Sequence, residues 1–323
     1  MCLEKPIESK VLSIFFASWI QRFLIVSANN PSVTVPANLR GSLFMILAMA
    51  LFAIEDMFLK AASVVLPVGE ILILFGFGGA VVFGGLALKR GEALVPRDVF
   101  TPVMGVRFVF ELTGRLFYVL ALALTPLSST TVILQATPLV VVAFAALVLG
   151  EQVGWRRWLA IVIGLAGVVL IVRPGGDSFS WLSLLAVAGM LGFAGRDLAS
   201  RAAPASLSTA VLGLYGFLAI VVAGAVYGMI WEQVPFHTPP PMALLSVVGA
   251  VACGVFAYSA LMRAMRTGEV SAVTPFRYSR LLFGVALGVV MFGERLDSYM
   301  LIGSALIVLS GLVIMWRSRP AAS

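Results

Sequence analysis

Five arginines lie within long apolar stretches of the sequence, where an unpaired charge is expensive. An arginine at the centre of a membrane helix costs about 2.5–3.5 kcal/mol on insertion scales, so five unpaired ones would cost on the order of 15 kcal/mol. That is comparable with the whole stability of a typical fold. These side chains must therefore face acidic groups, a wet cavity or a ligand. The five are Arg107, Arg115, Arg196, Arg277 and Arg280.

Arg107, Glu111 and Arg115 follow one another at intervals of four, which places them along one face of a helix. One carboxylate cannot neutralise two guanidinium groups. The stripe therefore predicts a surplus positive charge that could bind a substrate carboxylate, phosphate or electron-rich ring. Glu111 would orient the arginines or bind a substrate amine. The alternative is an intrahelical salt-bridge ladder with no ligand.

A second polar segment runs from Thr274 to Arg280 inside another apolar stretch. Arg277 and Arg280 are three residues apart and share a helix face, so both are predicted substrate ligands. Pro275 has no backbone N–H and predicts a bend near the middle of this helix. The alternative role of the segment is a kink that serves helix packing.

Three more side chains complete the predicted substrate site. Gln135, close to Thr137-Pro138, predicts a polar bend in a further helix. Tyr258 and Tyr278 combine an aromatic ring with a polar tip and are predicted to stack on the apolar part of a substrate.

Two related segments, 141 residues apart, place acids near helix ends. In the pairs Asp56–Lys60 and Asp197–Arg201 the acid precedes the base by four residues, the favourable order for a helical ion pair. Glu55 occupies the position that corresponds to Arg196, so Glu55 either titrates as a proton carrier or pairs with Arg196 across the two segments. The candidates for coupling or gating are Glu55, Asp56, Arg196 and Asp197, with a proton as the candidate coupling ion.

The elements that position these residues are predicted to be membrane helices. Hydrophobic residues make up 61% of the 323-residue chain and charged residues 11%, against about 45–50% and 25% in soluble domains. Ten apolar runs of about 20 residues can each span a bilayer. The runs are Gly41–Ala62, Val68–Leu88, Phe100–Leu124, Leu127–Leu149, Trp155–Val172, Trp181–Arg201, Leu207–Trp231, Met242–Met265, Val270–Phe292 and Ser298–Trp316.

This all-α integral membrane fold is predicted to consist of two halves, separated at Arg173-Pro174-Gly175-Gly176-Asp177, with a similar turn inside each half. Leu149-Gly150-Glu151 and Phe292-Gly293-Glu294 lie 143 residues apart. The sequence therefore predicts two five-helix repeats, residues 41–173 and 178–317, flanked by a disordered or interfacial tail (1–40) and a short tail (318–323). Five is an odd number, so the second repeat is expected to be inverted relative to the first, as in alternating-access carriers. The substrate cavity is expected between spans one, three, four, six, eight and nine.

The distribution of basic residues predicts the orientation. Ten spans leave both termini on one side, which carries fourteen Lys and Arg, whereas the other side has only Lys60, Arg173 and Arg295. Positive residues favour the cytoplasmic side, so both termini are predicted to be cytoplasmic in the cell (inner) membrane. Topology thus explains the excess of 22 basic over 15 acidic residues without a nucleic-acid partner.

Several other functions are disfavoured by what the sequence contains. It has two cysteines, one histidine (His237) and no P-loop. A metal site, a cofactor and a nucleotide-powered pump are not expected, and a polytopic membrane enzyme would need a nucleophile–base pair that we do not find. A passive channel remains an alternative, which saturable flux would distinguish from a carrier.

From Gly41 to Trp316 the chain resembles the EamA-type branch of the drug/metabolite transporter superfamily, on its ten spans and its two Gly-Glu turns. The resemblance implies a carrier of small organic solutes that works as a monomer or weak homodimer. Pro275-Phe276-Arg277-Tyr278 is similar to a Pro-aromatic-Arg-Tyr run in S-adenosylmethionine uptake carriers. That implies uptake of a nucleoside-like or zwitterionic solute such as S-adenosylmethionine, with amino-acid or metabolite export and riboflavin uptake as alternatives.

Overall fold

The computed structural model describes residues 35–149, 153–173, 180–204, 206–234, 238–267 and 273–316. All regular structure within these ranges is helical. The α-helices are α1 (Val35–Ala62), α2 (Val68–Lys89), α3 (Pro102–Leu124), α4 (Leu127–Leu134), α5 (Thr137–Leu149), α6 (Trp155–Val172), α7 (Ser183–Arg201), α8 (Thr209–Tyr227), α9 (Pro241–Thr267), α10 (Ser279–Phe292) and α11 (Ser298–Trp316). The all-helical prediction is confirmed over this part of the chain.

Seven helical stretches are long and apolar enough to cross a bilayer. They are Ala37–Ala62, Val68–Lys89, Leu127–Val148, Trp155–Val172, Thr209–Glu232, Pro241–Met265 and Thr274–Phe292. A shorter apolar helix covers Ser298–Ile314. The two remaining predicted spans, α3 and α7, contain 23 and 19 residues and carry three charged residues each. The protein is therefore a multi-pass membrane protein.

The helices differ most from the predicted spans at three places, and most other boundaries agree within a few residues. The first helix begins at Val35 rather than Gly41, within the predicted tail. The predicted fourth span is two helices, α4 and α5, separated at Gln135 and Ala136. The predicted ninth span opens, in its described part, with a 3₁₀ turn over Thr274–Tyr278 before α10.

Prolines explain the two interrupted spans. Pro138 has no N–H to donate to the carbonyl of Leu134, four residues earlier. The hydroxyl of Thr137 donates to that carbonyl instead, at 2.5 Å. Pro275 lies in the 3₁₀ turn that precedes α10. The bends predicted from Pro138 and Pro275 are thus present.

The main helix pairs each join the first half of the chain to the second. Helix α1 packs along α9, α2 along α8, α3 along α7, and α6 along α11. Glycines allow the close approach, since a Cβ on Gly189 of α7 would lie 2.9 Å from the backbone nitrogen of Tyr118 in α3. Likewise, a Cβ on Gly167 of α6 would lie 2.7 Å from the carbonyl oxygen of Gly303 in α11.

Two glutamates cap helix starts at one end of the bundle, which we call the charged end. The carboxylate of Glu232 accepts from the backbone N–H groups of Val68 and Gly69 at 2.6 and 2.8 Å. Glu294 accepts from Leu127 and Ser128 at 2.6 and 2.9 Å. The first N–H groups of a helix have no intrahelical acceptor, so each glutamate satisfies groups that would otherwise need water.

Lys60 lies at the same end, where it contacts the end of α3. Its Nζ donates to the carbonyls of Leu122 and Thr125 at 3.0 and 2.6 Å. The predicted Asp56–Lys60 pair is therefore wrong: the free carbonyls at a helix C-terminus hold the lysine. The side chain of Arg201, proposed partner of Asp197, lies outside the described residues, as do Glu151 and His237.

Candidate functional site

Nine charged side chains gather where the helices of the two halves meet. This central cluster combines five arginines with four carboxylates, supplied by α1, α3, α7 and the 3₁₀ turn with the start of α10. Its members are Glu55, Asp56, Arg107, Glu111, Arg115, Arg196, Asp197, Arg277 and Arg280. All five arginines found in the apolar stretches thus have acidic neighbours, as their insertion cost requires.

One part of the cluster consists of two one-to-one ion pairs on neighbouring residues of α1. Glu55 Oε1 lies 2.7 Å from Arg115 of α3, and Asp56 Oδ2 lies 2.6 Å from Arg280 of α10. The hydroxyl of Tyr118 also donates to Asp56 Oδ2, at 2.9 Å. These bonds hold α1, α3 and α10 together at the level of the cluster.

In the other part, three arginines share two acids. Glu111 lies 3.3 Å from Arg196 and 3.7 Å from Arg107. Asp197 lies 2.7 Å from Arg196 and 3.6 Å from Arg277. Arg196 therefore takes the close contacts with both acids, and Arg107 and Arg277 have only longer ones.

An aromatic ring connects the two parts. The ring of Phe193 of α7 lies beneath the guanidinium of Arg196. The ring centroid is 4.7 Å from the guanidinium carbon of Arg196 and 5.8 Å from that of Arg115. Tyr118 meets the edge of the same ring, with centroids 5.6 Å apart. Arg280 lies over Phe52, at 5.2 Å. Such cation–π contacts stabilise charges that are partly removed from water.

The predicted stripe of α3 is present, but its pairing differs. Glu111 contacts Arg107 and not Arg115, because Arg115 is bound by Glu55 of α1. The intrahelical ladder is therefore incomplete. The alternative pairing of Glu55 with Arg196 is wrong, since both have other partners.

The two interrupted helices meet beside the cluster. Gln135, at the break between α4 and α5, donates from Nε2 to the carbonyl of Arg277, at 3.1 Å. Tyr258 of α9 lies near enough to Arg107 and Glu111 to be influenced by their charges, and its ring meets the edge of Phe83 at 5.4 Å. Both predicted site residues thus border the cluster.

Tyr278 takes a different position. It is buried, and its hydroxyl lies against Gly311 of α11. The ring therefore fills space between helices, and the geometry gives no support to the predicted stacking on a substrate.

Tyr118 belongs to the central cluster by its contacts but was not among the residues predicted from the sequence. It is 1% exposed and bridges Asp56 and Arg280. A signal existed, because Tyr118 lies three residues after Arg115 and extends the polar face of α3.

Two clefts of the described surface have charged residues in their walls. One, of about 290 Å³, has Arg107 on its wall. The other, of about 470 Å³, lies at the charged end beside Arg173, Glu294 and Asp297. Burial would raise the pKa of Asp297, but the backbone N–H of Met300 and the guanidinium of Arg173 hold the pKa of that carboxyl below its usual range.

Comparison with known proteins agrees with these features. The model of the EamA-like transporter family matches residues 39–173 and 180–316. The pseudopaline exporter of Pseudomonas aeruginosa is 28% identical over 85% of this chain and 95% of its own. The S-adenosylmethionine uptake transporter of Rickettsia prowazekii is 24% identical over 88% and 95%. A protein crystal structure with 21% identity superposes with a TM-score of 0.56 over 88% of this chain and 99% of that one.

The family match covers most of the chain in two consecutive segments, one in each half. The chain therefore belongs to the EamA-like transporter family, and the resemblance noted from its sequence is confirmed.

Proposed function

We propose, from that family membership, that the protein is a secondary transporter or facilitator that moves a small organic metabolite across the cytoplasmic membrane. The observation that carries the proposal is the central cluster. Nine ionisable side chains in the interior of a membrane protein are expensive, and such groups typically mark a substrate or ion pathway.

The proposed architecture is ten spans in two inverted five-helix repeats, residues 41–173 and 178–317. The helix pairing supports it. In this architecture α1 corresponds to α7, α2 to α8, α3 to α9 and α6 to α11. A two-fold rotation that superposes the halves then converts the α1–α9 pair into the α7–α3 pair. The same rotation maps the α2–α8 pair and the α6–α11 pair each onto itself. A two-fold relation between the halves produces this pattern.

With both termini cytoplasmic, the charged end faces away from the cytoplasm. There Lys60, Glu232 and Glu294 tie helix ends to one another. Opening toward that side would break these bonds, so the described state is closed on the outer side in this proposal. Alternating access would then exchange them for contacts at the cytoplasmic end.

The leading substrate class is a nucleoside-like or zwitterionic solute such as S-adenosylmethionine. Two observations support it: the Rickettsia relative is named for S-adenosylmethionine uptake, and Arg277 of the similar Pro-Phe-Arg-Tyr run lies in the central cluster. Metabolite export is the main alternative, supported by the relative named as a pseudopaline exporter. Riboflavin uptake is a further alternative.

Glu55 and Asp56 are the proposed sites of proton coupling. One oxygen of each carboxylate, Oε2 and Oδ1, is buried and has no hydrogen-bond partner among the described residues. A proton delivered to either oxygen would weaken the hold of α1 on Arg115 or Arg280. Protonation would thus loosen α1 from α3 and α10.

The test is flux into proteoliposomes, with a panel of S-adenosylmethionine, amino acids, riboflavin, nucleosides and carboxylates. We expect one class to show saturable uptake that Arg277→Ala abolishes and that Arg295→Gln, a change at an exposed arginine outside the cluster, preserves. Equal reconstitution of the variants is verified by immunoblot. Flux that rises linearly with concentration for every solute would contradict a carrier, and normal uptake by Arg277→Ala would remove that residue from the site.

A further inference from the structure

The charges of the central cluster do not balance evenly. Glu55 with Arg115 and Asp56 with Arg280 form two neutral pairs. The remaining part, which we call the shared part, contains Arg107, Arg196 and Arg277 but only Glu111 and Asp197. Among the described residues, one positive charge is therefore left over, and it belongs to the shared part.

The distances between guanidinium and carboxylate groups place that surplus charge on Arg107 and Arg277, which have no close acid among the described residues. Charge-assisted hydrogen bonds between guanidinium and carboxylate measure about 2.7–2.9 Å. The acid contacts of Arg107 and Arg277 are 3.7 and 3.6 Å, beyond that range. Arg107 instead donates from Nε to a neutral group, the hydroxyl of Ser200, at 2.9 Å.

Arg107 is also the charged residue of the shared part that lines the smaller of the two clefts described above. The cleft measures about 290 Å³, near the lower bound of about 300 Å³ for small-molecule sites. Arg107 itself is 5% exposed, so water screens its charge poorly. The other lining residues offer mainly apolar surface: Val99, Met104, Gly105, Phe108 and Tyr215.

We propose that Arg107 is the anion-binding subsite of the transport path, and that it takes the carboxylate or phosphate of an organic solute whose apolar body occupies the cleft. This inference rests on the proposed function and narrows its substrate class. With an anion on Arg107, Glu111 is free to pair with Arg196, and Asp197 with Arg277. Each guanidinium of the shared part then has one acid, so a solute that carries a carboxylate or phosphate, a zwitterion included, is preferred over its analogue without that group.

The experiment measures thermal stabilisation of the purified full-length protein by three phenylalanine derivatives that differ in charge. N-acetylphenylalanine carries a negative charge, N-acetylphenylalaninamide is neutral and phenylalaninamide is positive. A solute that binds only the folded state raises the melting temperature in a saturable way. We expect such a rise with the anion and not with the other two solutes.

Two variants place the effect on Arg107. Arg107→Gln is expected to weaken anion binding about tenfold to a hundredfold, because a charged hydrogen-bond donor is lost. Ser200→Asp places a carboxylate of the protein beside Arg107 and so neutralises the charge that would bind the solute. It is expected to fold at least as stably as the wild type and to lose the response to the anion. Arg295→Gln, at an exposed position away from the cleft, is expected to keep the response.

Three results would overturn the inference: no stabilisation of the wild type by the anion, equal stabilisation by the amide, or an unchanged response in Ser200→Asp. Flux separates this outcome from failure of the proposed function. Saturable uptake of any solute without an anion response would leave the carrier in place and remove the subsite. An anion response without flux of any solute would support the subsite and contradict the proposed carrier.

Discussion

The bond between Asp56 and Arg280 is expected to be among the strongest ties between helices in this protein. Its nitrogen and oxygen are 2.6 Å apart, Asp56 is fully buried, and the side chain of Arg280 is 13% exposed. Removing one partner of a buried ion pair typically destabilises by about 3–5 kcal/mol, because the other charge stays buried without compensation. We therefore expect Asp56→Asn and Arg280→Gln each to lower the free energy of unfolding by about that amount.

The double variant provides the sharper measurement. Asp56→Asn with Arg280→Gln removes both charges, so its loss of stability should be smaller than the sum of the two single losses by about 1–3 kcal/mol. Equilibrium unfolding of purified protein in detergent, followed by circular dichroism against denaturant, gives the four values of the cycle. Arg295→Gln is the matched control, expected to stay within about 0.5 kcal/mol of the wild type.

Additive losses in the two single variants would contradict a direct bond between Asp56 and Arg280. If the two single losses simply add, or if either is below about 1 kcal/mol, the two side chains do not depend on each other as their distance requires. Tyr118→Phe measures separately how much the hydrogen bond from Tyr118 to Asp56 stabilises the protein. It removes only the hydroxyl that donates to Asp56, and we expect a loss of about 1–3 kcal/mol.

Three further predictions concern other parts of the bundle. Glu294→Gln removes a charged cap from the start of α4 and should lower stability by about 0.5–2 kcal/mol, measured by the same unfolding experiment. Gly192→Leu should destabilise by about 1–3 kcal/mol or more, because the glycine lies against the backbone of Gly114 and leaves no room for a side chain; Gly105→Leu, in open space, is its control. The lowered pKa of Asp297 means that its contribution to stability is present above its unfolded pKa of about 3.9 and is lost as pH falls through the folded pKa. Melting temperatures of Asp297→Asn and wild type should therefore converge as the pH falls below about 3.9, the unfolded pKa, and a difference that stays constant with pH would contradict this.

The sequence was sufficient for features that depend on neighbours along the chain. Apolar runs located the helices, and Pro138 and Pro275 located the bends, because a missing N–H acts on the carbonyl four residues earlier. The insertion cost of charge also showed that the arginines of the interior needed acidic or polar partners.

Partners from other helices were not available from the sequence. Spacing placed Arg115 four residues from Glu111, yet Arg115 binds Glu55, because packing of α1 against α3 brings a second acid closer. Lys60 was matched to Asp56 by the same spacing rule, but carbonyls of α3 offer it two acceptors at the end of the bundle. Periodicity reports which residues share a face and does not report which helix that face meets.

The caps at the charged end have a consequence for the timing of synthesis. Glu294 follows Leu127, whose N–H it accepts, by 167 residues. At about 5–20 residues per second, α4 enters the membrane roughly 8–33 s before the ribosome adds its cap. Glu232 likewise follows Val68 by 164 residues. Until each glutamate is in place, interfacial water must hydrate the helix start that it caps, so a nascent chain that stops before residue 294 contains α4 without its cap.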